Sequence, residues 1–266
     1  MNLNKTTLID GTEINCISSN EAKMLYEHIN GYLNSKIDIK ENDTIIDVGA
    51  NIGIFGIKLS KLFNNNITIL SFEPISHIFT ILNANTKLVK NDNFKAFEWG
   101  LSNKNEQVNF TYYPNSPALS TANPEAWDNN EDLITAVEGN LKHSPKNLWW
   151  TKLIPRFLYP LIVKKLKENP IDLKCEVKTL SYIIEKQNLK KIDLLKIDCE
   201  GNELKVLEGI KTNDWKIIKQ LIIEVHDIDN RLDTITNILK NQNYNVKIEK
   251  ETSMKNTRLF NVIAKN

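Results

Sequence analysis

Several features are scarce in this chain of 266 residues, and each absence excludes a class of protein. The three cysteines, Cys16, Cys175 and Cys199, lie far apart and match no zinc-binding or disulfide spacing. No apolar run approaches the roughly 18 residues of a membrane span, and the opening MNLNKTTLIDGTEIN lacks the apolar core of a signal peptide. The net charge of +1 indicates no particular charged partner. We therefore expect a globular protein of the cytoplasm.

The chain does contain a regular alternation of strand-like apolar runs and helix-like patterns. Strands are predicted at 44–47, 67–72, 94–97, 108–112, 176–180, 192–198, 219–227, 244–248 and 259–264, and helices at 53–62, 75–88, 180–188, 203–209 and 229–241. This alternation predicts an α/β fold, with an open and mostly parallel sheet covered by helices on both faces. The short connection between the last two strands favours an antiparallel hairpin at the C-terminal end.

Residues 1–40 precede this alternation and are expected to form an N-terminal cap on a domain that spans 41–266. Within the cap, residues 1–17 have the pattern of a hairpin that turns at Asp10-Gly11, and residues 19–34 have helical spacing. The sequence holds only the one domain, so we expect a free-standing protein.

Residues 113–174 interrupt the alternation and are too long for a simple connection, so they predict a helical insert that covers the substrate. Residues 141–167 of this insert contain seven Lys or Arg, no acidic residue, and four aromatic side chains. Such a segment suits an apolar acceptor, an acidic protein surface or an anionic membrane surface, and it also suits a solvated basic helix. Pro155, Pro160 and Pro170 argue against one long helix.

The segment DTIIDVGANIGIFG, residues 43–56, predicts a ligand-binding turn at the end of a strand. A pyrophosphate needs a glycine where Asn51 stands, and Asp47 is unfavourable beside a phosphate. An acid is useful beside the ammonium and sulfonium groups of S-adenosylmethionine, and Gly49 allows close approach of the backbone. Glu73 ends the next strand, where a carboxylate can accept both ribose hydroxyls. A plain tight turn is the alternative interpretation.

Later strand ends add further candidate residues at the same edge of the sheet. Trp99 follows the third strand, where it can stack on adenine or belong to the core. Asp198 ends the buried strand LLKID and Glu200 and Glu203 come soon after it, and a charged cluster after an apolar run favours a site. Glu200 and Glu203 are also explained by the preference of acidic residues for helix N-termini.

Transfer of a methyl group to an alcohol needs a base with a pKa near 7, which favours histidine. His226 is the first candidate because it ends a strand between Glu224 and Asp227, where a carboxylate can orient the ring. A structural histidine is the alternative, and His143 in the insert is the second candidate for the base. His28 and His77 have the pattern of helix-surface residues.

Asp198, Glu224 and His226 also have the chemistry to hold a divalent metal. Nothing in their spacing requires a metal, and none is expected.

These segments together resemble the FkbM family of S-adenosylmethionine-dependent methyltransferases. The matching text is IIDVGANIGIFG, SFEP, GLSN and LLKIDCEGNELKVLEGI, and the resemblance runs from about residue 40 to the C-terminus. It implies a Rossmann-like class I methyltransferase fold with a seven-stranded sheet, and usually O-methylation. Carried over by position, the resemblance implies a cofactor loop at Asp47, Gly49, Asn51 and Gly53, a ribose ligand at Glu73, and an adenine wall at Trp99, Gly100 and Leu101. Ala50, Pro74 and Asp198 complete the predicted cofactor-binding residues, and the predicted catalytic residues are His226, Asp198 and Glu224.

The segments YPNSPALSTANPE, IPRFLYPLIVKKL and DWKIIKQLIIEVHDID are similar to a subgroup associated with polyketide and nonribosomal peptide assembly. The resemblance implies methylation of a hydroxyl on a small-molecule or carrier-bound acceptor. The cations of residues 142–167 could dock an acidic carrier protein by long-range attraction. The alternatives are a glycan or lipid-linked sugar O-methyltransferase and a non-catalytic scaffold that binds the cofactor. Asn51 argues against a nicotinamide dehydrogenase, and the absence of a broad basic face in the core argues against nucleic acid.

Overall fold

Strands and helices alternate along the computed structural model, which describes residues 3–34, 37–124, 130–250 and 254–266. The strands are β1 (Asn4–Thr7), β2 (Glu13–Cys16), β3 (Thr44–Val48), β4 (Thr68–Phe72), β5 (Phe94–Phe97), β6 (Gly100–Leu101), β7 (Glu106–Tyr112), β8 (Ile171–Lys178), β9 (Leu194–Ile197), β10 (Gln220–His226), β11 (Asn245–Glu249) and β12 (Leu259–Lys265). The helices are α1 (Ser19–Asn34), α2 (Ile54–Leu62), α3 (Ser76–Thr86), α4 (Asn130–Lys142), α5 (Tyr159–Leu166), α6 (Leu180–Lys186), α7 (Glu203–Glu208) and α8 (Arg231–Asn241).

Seven strands form the central sheet in the order β11-β12-β10-β9-β3-β4-β5. Strands β10, β9, β3, β4 and β5 are parallel, whereas β12 is antiparallel to both of its neighbours. This confirms the predicted α/β fold, including the antiparallel pair at the C-terminal end. The strand order changes direction between β3 and β9, so ligands are expected beyond the carboxyl ends of these two strands.

Both faces of the sheet are buried because successive residues of a strand point to opposite sides. Ile45 of β3 packs in the core cluster that includes side chains of α1, α2 and α3, while Ile46 packs in the cluster that includes side chains of α6, α7 and α8. Leu194 and Leu195 of β9 divide between the two clusters in the same way. This double burial explains why the strands read as continuous apolar runs.

A second, three-stranded sheet has the order β6-β8-β7, and the sequence patterns do not predict it as a separate sheet. Strand β7 pairs antiparallel with β8, which begins at Ile171 and so lies partly inside the predicted insert 113–174. Several residues of both strands are exposed, so their alternating pattern fits a sheet with one buried face.

The N-terminal segment forms the predicted hairpin and helix. Strands β1 and β2 pair antiparallel, and Gly11 in the turn has a φ of +82°. The buried side chain of Asn85 in α3 ties this hairpin to the sheet, because its amide donates to the carbonyls of Asn15 at 3.0 Å and of Ile52 at 2.7 Å.

The described part of the insert contains α4, three 3₁₀ segments at Pro117–Leu119, Lys146–Leu153 and Arg156–Leu158, and α5. Its helices are short, in agreement with the prediction from the prolines, and they enclose an apolar cluster that includes Leu133, Leu141 and Tyr159. Among the helices that the structure describes, none has both the length and the apolar composition needed to cross a bilayer.

Candidate active site

A cleft lies beyond the carboxyl ends of β3, β4 and β9. Its lining includes Gly49, Asn51, Glu73, Asp198 and Glu200, all of which follow strand ends or lie in the loops after them. The cleft therefore occupies the position that the sheet topology predicts for a ligand.

The loop after β3 is a tight turn that only glycine can form at its closest point. Gly49 has a φ of +73°, and a Cβ atom built there would lie 1.7 Å from the carbonyl oxygen of Asp198. Asn51 also has a positive φ, of +49°, and its side-chain oxygen accepts a hydrogen bond from the Ile52 amide at 2.7 Å. The backbone of the loop consequently passes against the end of β9 and forms one side of the cleft.

Glu73 places a buried carboxylate in the cleft, next to this loop. One oxygen accepts a hydrogen bond from the Ile75 amide at 3.0 Å, and the other from the Asn51 amide at 3.2 Å. Burial raises the pKa of Glu73 to about 7, although both amide contacts act in the opposite direction. The carboxylate is thus fixed in direction and still lines the cleft, as a group that accepts ribose hydroxyls must.

Three other predicted cofactor residues also line the cleft, namely Pro74, Gly100 and Leu101, but Trp99 does not. The indole of Trp99 instead stacks on Phe97, with ring centroids 5.5 Å apart, and meets Tyr182 edge-on at 6.2 Å. The prediction that Trp99 forms the adenine wall therefore needs correction, because its indole packs against the rings of Phe97 and Tyr182.

Asp47, Ala50 and Gly53 lie behind the cleft and shape its loop. Asp47 is completely buried, and its carboxylate lies 3.0 Å from Nζ of Lys196 and accepts a hydrogen bond from the Ser71 hydroxyl at 3.1 Å. Gly53 has a φ of +84° and precedes α2, and Ala50 is buried. These residues support the turn and do not form the surface that would contact a ligand.

Lys196 is a site residue that the sequence analysis missed. It is 3% exposed within β9, and its ammonium group lies between the carboxylates of Asp47 and Asp198, at 3.0 and 3.5 Å. Burial opposes its charge, but the two carboxylates outweigh burial and raise its pKa. A lone lysine in the apolar run LLKI was the available signal, because a buried cation needs a buried acidic partner.

His226 ends β10 as predicted, but its surroundings do not suit a general base. The ring is 4% exposed, with Nε2 3.2 Å from Glu200 and Nδ1 3.5 Å from Glu203. Burial disfavours the charged ring, yet the two glutamates outweigh burial and raise its pKa well above the ordinary 6.5. Two carboxylates that favour the protonated ring make His226 poorly suited to remove a proton, and their distances fit a residue that positions Glu200.

Glu200 is the group of this cluster that lines the cleft. Its backbone has a φ of +51°, which is uncommon outside glycine, and its carbonyl accepts a 2.5 Å hydrogen bond from the Thr121 hydroxyl. Burial raises the pKa of its carboxyl to about 7, although His226 acts in the opposite direction. Proton affinity near neutrality and access to the cleft are the two properties that a general base needs.

His28 lies in the site, although its pattern had predicted a helix-surface position. Nε2 of His28 is 3.0 Å from a carboxylate oxygen of Glu224, and the prediction was therefore wrong. The sequence signal was weak because α1 lies outside the motifs that carry the family resemblance. His77 is exposed as predicted, and His143 is exposed on the insert, outside the lining of the cleft.

The predicted metal ligands do not form a single group. Among the residues that the structure describes, two clusters have ligand atoms within 4.8 Å of one another, and Glu224 belongs to both: His28, Asp198 and Glu224 form one, and Glu200, Glu224 and His226 form the other. Asp198 and His226 therefore fall in different clusters. Each cluster also contains a protein ion pair, His28–Glu224 in the first and Glu200–His226 in the second.

If the resemblance to methyltransferases holds, we expect the rate of methyl transfer to be unchanged in excess EDTA, because these ion pairs and the contact of Lys196 with Asp198 already balance the carboxylates that would bind a metal. The measurement is the initial rate before and after chelation, with a second assay after addition of Mg²⁺ or Mn²⁺. Loss of activity in EDTA that either ion restores would show that a metal is required.

One face of α1 closes the cleft from the N-terminal side. Glu21, Leu25 and His28 follow the i, i+4, i+7 spacing of a single helix face. Leu25 lines the cleft, and the Glu21 carboxylate accepts a hydrogen bond from the Ala118 amide at 3.0 Å. Because Ala118 also lines the cleft, the cap and the insert meet over the ligand position.

Replacing Glu21 with glutamine is expected to reduce the loss of stability that the folded protein shows when the pH rises. Burial raises the pKa of Glu21 to about 7 from an ordinary value of 4.5. Between pH 4.5 and about pH 7 the folded state binds more protons than the unfolded state. The contribution of Glu21 to the free energy of unfolding is therefore complete below pH 4.5 and is lost as the pH rises through about 7. The measurement is the urea midpoint of the wild type and the variant at about pH 5 and about pH 8.

Glutamine cannot ionise, so the urea midpoint should fall less between about pH 5 and about pH 8 in Glu21→Gln than in the wild type. The exposed Glu185→Gln is the matched control and should follow the wild type. Equal losses in all three proteins would contradict a buried, titrating Glu21.

A comparison with family models matches residues 47–246 to the methyltransferase FkbM domain. Among characterised relatives, the chain is 26% identical over 261 residues to the 31-O-demethyl-FK506 methyltransferase FkbM of Streptomyces tacrolimicus. This alignment covers 97% of this chain and 95% of that protein. It is 28% identical over 242 residues to the methyltransferase sdnD of Sordaria araneosa, which covers 86% of this chain and 85% of that protein.

A solved structure with a similar fold is the methyltransferase FkbM from Methylobacillus flagellatus KT. The match has a TM-score of 0.53 at 14% identity, and it covers 88% of this chain and 46% of that chain. At this identity the similarity concerns the fold alone, and it agrees with the sheet described above.

Proposed function

The chain belongs to the FkbM methyltransferase family and is an S-adenosylmethionine-dependent methyltransferase. From this premise we propose that it methylates a hydroxyl of a natural product of the polyketide or nonribosomal peptide type, which is either free or bound to a carrier. The observation that carries this proposal is the lining of the cleft, which combines the backbone of the loop at Gly49 with the acidic residues Glu73 and Glu200. The name of the Streptomyces tacrolimicus relative, 31-O-demethyl-FK506 methyltransferase, supports an oxygen acceptor on a natural product.

The residues of the cleft fit S-adenosylmethionine, which when bound supplies a methyl group on an electrophilic sulfonium. We assign the Glu73 carboxylate to the ribose hydroxyls and the apolar side chains of Leu101 and Ile78 to contacts with the adenine. The Gly49 backbone would approach the methionyl part, and Asp198, which also lines the cleft, would face its cationic groups. A nucleotide with phosphates fits less well, because Glu73, Asp198 and Glu200 give the cleft a negative lining.

We assign removal of the acceptor proton to Glu200. Its carboxylate lines the cleft, and its pKa of about 7 allows it to be ionised near neutral pH and still to take up a proton. His226 is a positioning residue that holds this carboxylate at 3.2 Å. Glu224, paired with His28, would fix the wall formed by α1. These residues align the acceptor, and alignment alone can contribute several kcal/mol, up to about 7–11.

Glu200→Gln is expected to reduce kcat by about 100-fold or more while the affinity for S-adenosylmethionine changes little, because a lost general base affects proton transfer and not cofactor contacts. The assay is methyl transfer from labelled S-adenosylmethionine to a panel of hydroxylated polyketides and peptides. The wild-type rate should rise with pH through about 7 as Glu200 ionises.

The exposed Glu185→Gln serves as the control variant and should match the wild type. Transfer only to sugars or lipid-linked sugars would replace the proposed acceptor class. Tight cofactor binding without transfer to any acceptor in the panel would favour a scaffold protein. An unaltered rate in Glu200→Gln would remove Glu200 from the mechanism.

A further inference from the structure

Five large apolar side chains protrude from the insert within residues 149–161, and we call them the aromatic patch. Their exposed fractions are 61% for Trp149, 47% for Trp150, 69% for Leu153, 76% for Phe157 and 62% for Leu161. Ten large apolar side chains are exposed in the described part of the chain, and half of them lie in this short segment. Concentrated apolar exposure of this kind marks an interaction surface.

The segment that carries the aromatic patch is firmly anchored, so the exposure does not come from loose packing. Leu148, Tyr159 and Val163 are 3%, 4% and 3% exposed, and the last two belong to the apolar cluster of the insert. The buried hydroxyl of Thr151 donates a hydrogen bond to the Leu148 carbonyl at 2.8 Å. The segment therefore has its own buried contacts, and the patch residues are additional to them.

Spacing places several patch residues together on the surface. Trp150 and Leu153 are three residues apart in the 3₁₀ segment, where such positions lie above one another. Phe157 and Leu161 are four residues apart across the start of α5, a spacing that brings helical side chains to the same face.

Positive charge surrounds the aromatic patch. Residues 141–167 carry +7 and the whole chain carries +1, so all the other residues together carry −6. This polarity would orient the protein in the field of an anionic surface, with the insert towards that surface.

We propose that the aromatic patch binds the surface of an anionic lipid bilayer. Exposed Trp, Phe and Leu side chains among Lys and Arg are the composition that enters the boundary between headgroups and acyl chains. The described helices cannot span a bilayer, so this contact would be peripheral. The proposal concerns lipid binding and stands independently of methyl transfer.

An acidic carrier protein is the competing occupant, and the ion pairs of the insert argue against it. Lys142 and Arg156 both contact Glu138, at 2.5 and 3.5 Å, and Lys165 contacts Glu168 at 2.5 Å. These three cations already have partners within the chain, so fewer remain for the charge pairs that fix the register of a protein interface. Attraction to a lipid surface depends on the summed charge near it, and residues 138–168, with seven Lys or Arg and two Glu, still carry 7 − 2 = +5.

The experiment is cosedimentation with vesicles of phosphatidylcholine alone and with vesicles that contain about a third phosphatidylglycerol. We expect binding to the anionic vesicles to be about 10-fold stronger or more, to weaken with added salt, and to shift tryptophan fluorescence to shorter wavelength. The triple variant Trp149→Ser, Trp150→Ser, Phe157→Ser should lose at least about 10-fold in binding.

The matched control is Leu62→Ser, Leu88→Ser, Ile248→Ser, which removes three exposed apolar side chains outside the insert and should bind as the wild type does. Absence of binding to anionic vesicles, or equal binding by the patch variant, would overturn the proposal. Binding of an acidic holo-carrier protein through the same three side chains, without vesicle binding, would also overturn it and assign the patch to a protein.

Discussion

Replacing Glu73 with alanine is expected to raise the dissociation constant for S-adenosylmethionine by about 100-fold or more. The carboxylate is the one acidic side chain at the end of β4 that both lines the cleft and is fixed by two backbone amides. Two hydrogen bonds from ribose hydroxyls to a charged acceptor would be lost, each contributing roughly 1.5–3 kcal/mol. The free loop would also lose the contact between Glu73 and the Asn51 amide.

Calorimetric titration measures this effect directly. S-adenosylmethionine and NADH are titrated separately into the wild type, Glu73→Ala and the control Glu185→Ala, whose glutamate is exposed and is not part of the cleft lining. Binding of S-adenosylmethionine that is lost only in Glu73→Ala would support the ribose assignment. Equal affinity in all three proteins would exclude it, and binding of NADH in place of S-adenosylmethionine would overturn the interpretation of Asn51.

Replacing Gly49 with alanine is expected to lower the free energy of unfolding by about 3 kcal/mol or more and to abolish cofactor binding. The added Cβ would lie 1.7 Å from the Asp198 carbonyl oxygen, which belongs to the backbone and cannot rotate away. The turn after β3 and the end of β9 must separate to admit it. Both lie in the wall of the cleft, so stability and binding should fail together.

Gly11→Ala is a control that separates the two effects of the substitution. Gly11 has a φ of +82°, close to that of Gly49, but a Cβ atom there would meet nothing within 4 Å. It should therefore show only the cost of a left-handed alanine, about 1–2 kcal/mol, with cofactor binding retained. Urea unfolding and calorimetry on both variants measure the difference. Cofactor binding by Gly49→Ala at the wild-type affinity would contradict the close packing of the two strand ends.

The sequence predicted those parts of the molecule that depend on local pattern. The buried strands of the central sheet are apolar runs of characteristic length, and Gly49, Glu73 and Asp198 follow them immediately, so topology alone brings these residues to one edge. The same logic located Glu200 and His226. It could not assign their roles, because the protonation of His226 depends on two glutamates that surround it in space.

The features that were missed depend on long-range packing. His28 reads as a surface residue of α1, and only the folded position of that helix against β10 brings it to Glu224. Trp99 follows a strand end like the cofactor residues, yet neighbouring rings determine its direction. The second sheet was missed because β7 and β8 are separated by the whole insert and show the pattern of strands with one buried face.

The position of β3 at the centre of the sheet has a consequence for the order of events during synthesis. Its amide at Thr44 is held by Asp193, which lies 149 residues further along the chain, and its last carbonyl pairs with the amide of Asp198. On the ribosome, the turn at Gly49 is synthesised early, but the end of β9, which packs against it, follows only after most of the polypeptide has emerged. Until β9 has been synthesised, the edge of β3 that pairs with it has no partner strand. A cofactor can therefore contribute to the stability of the protein only late in synthesis.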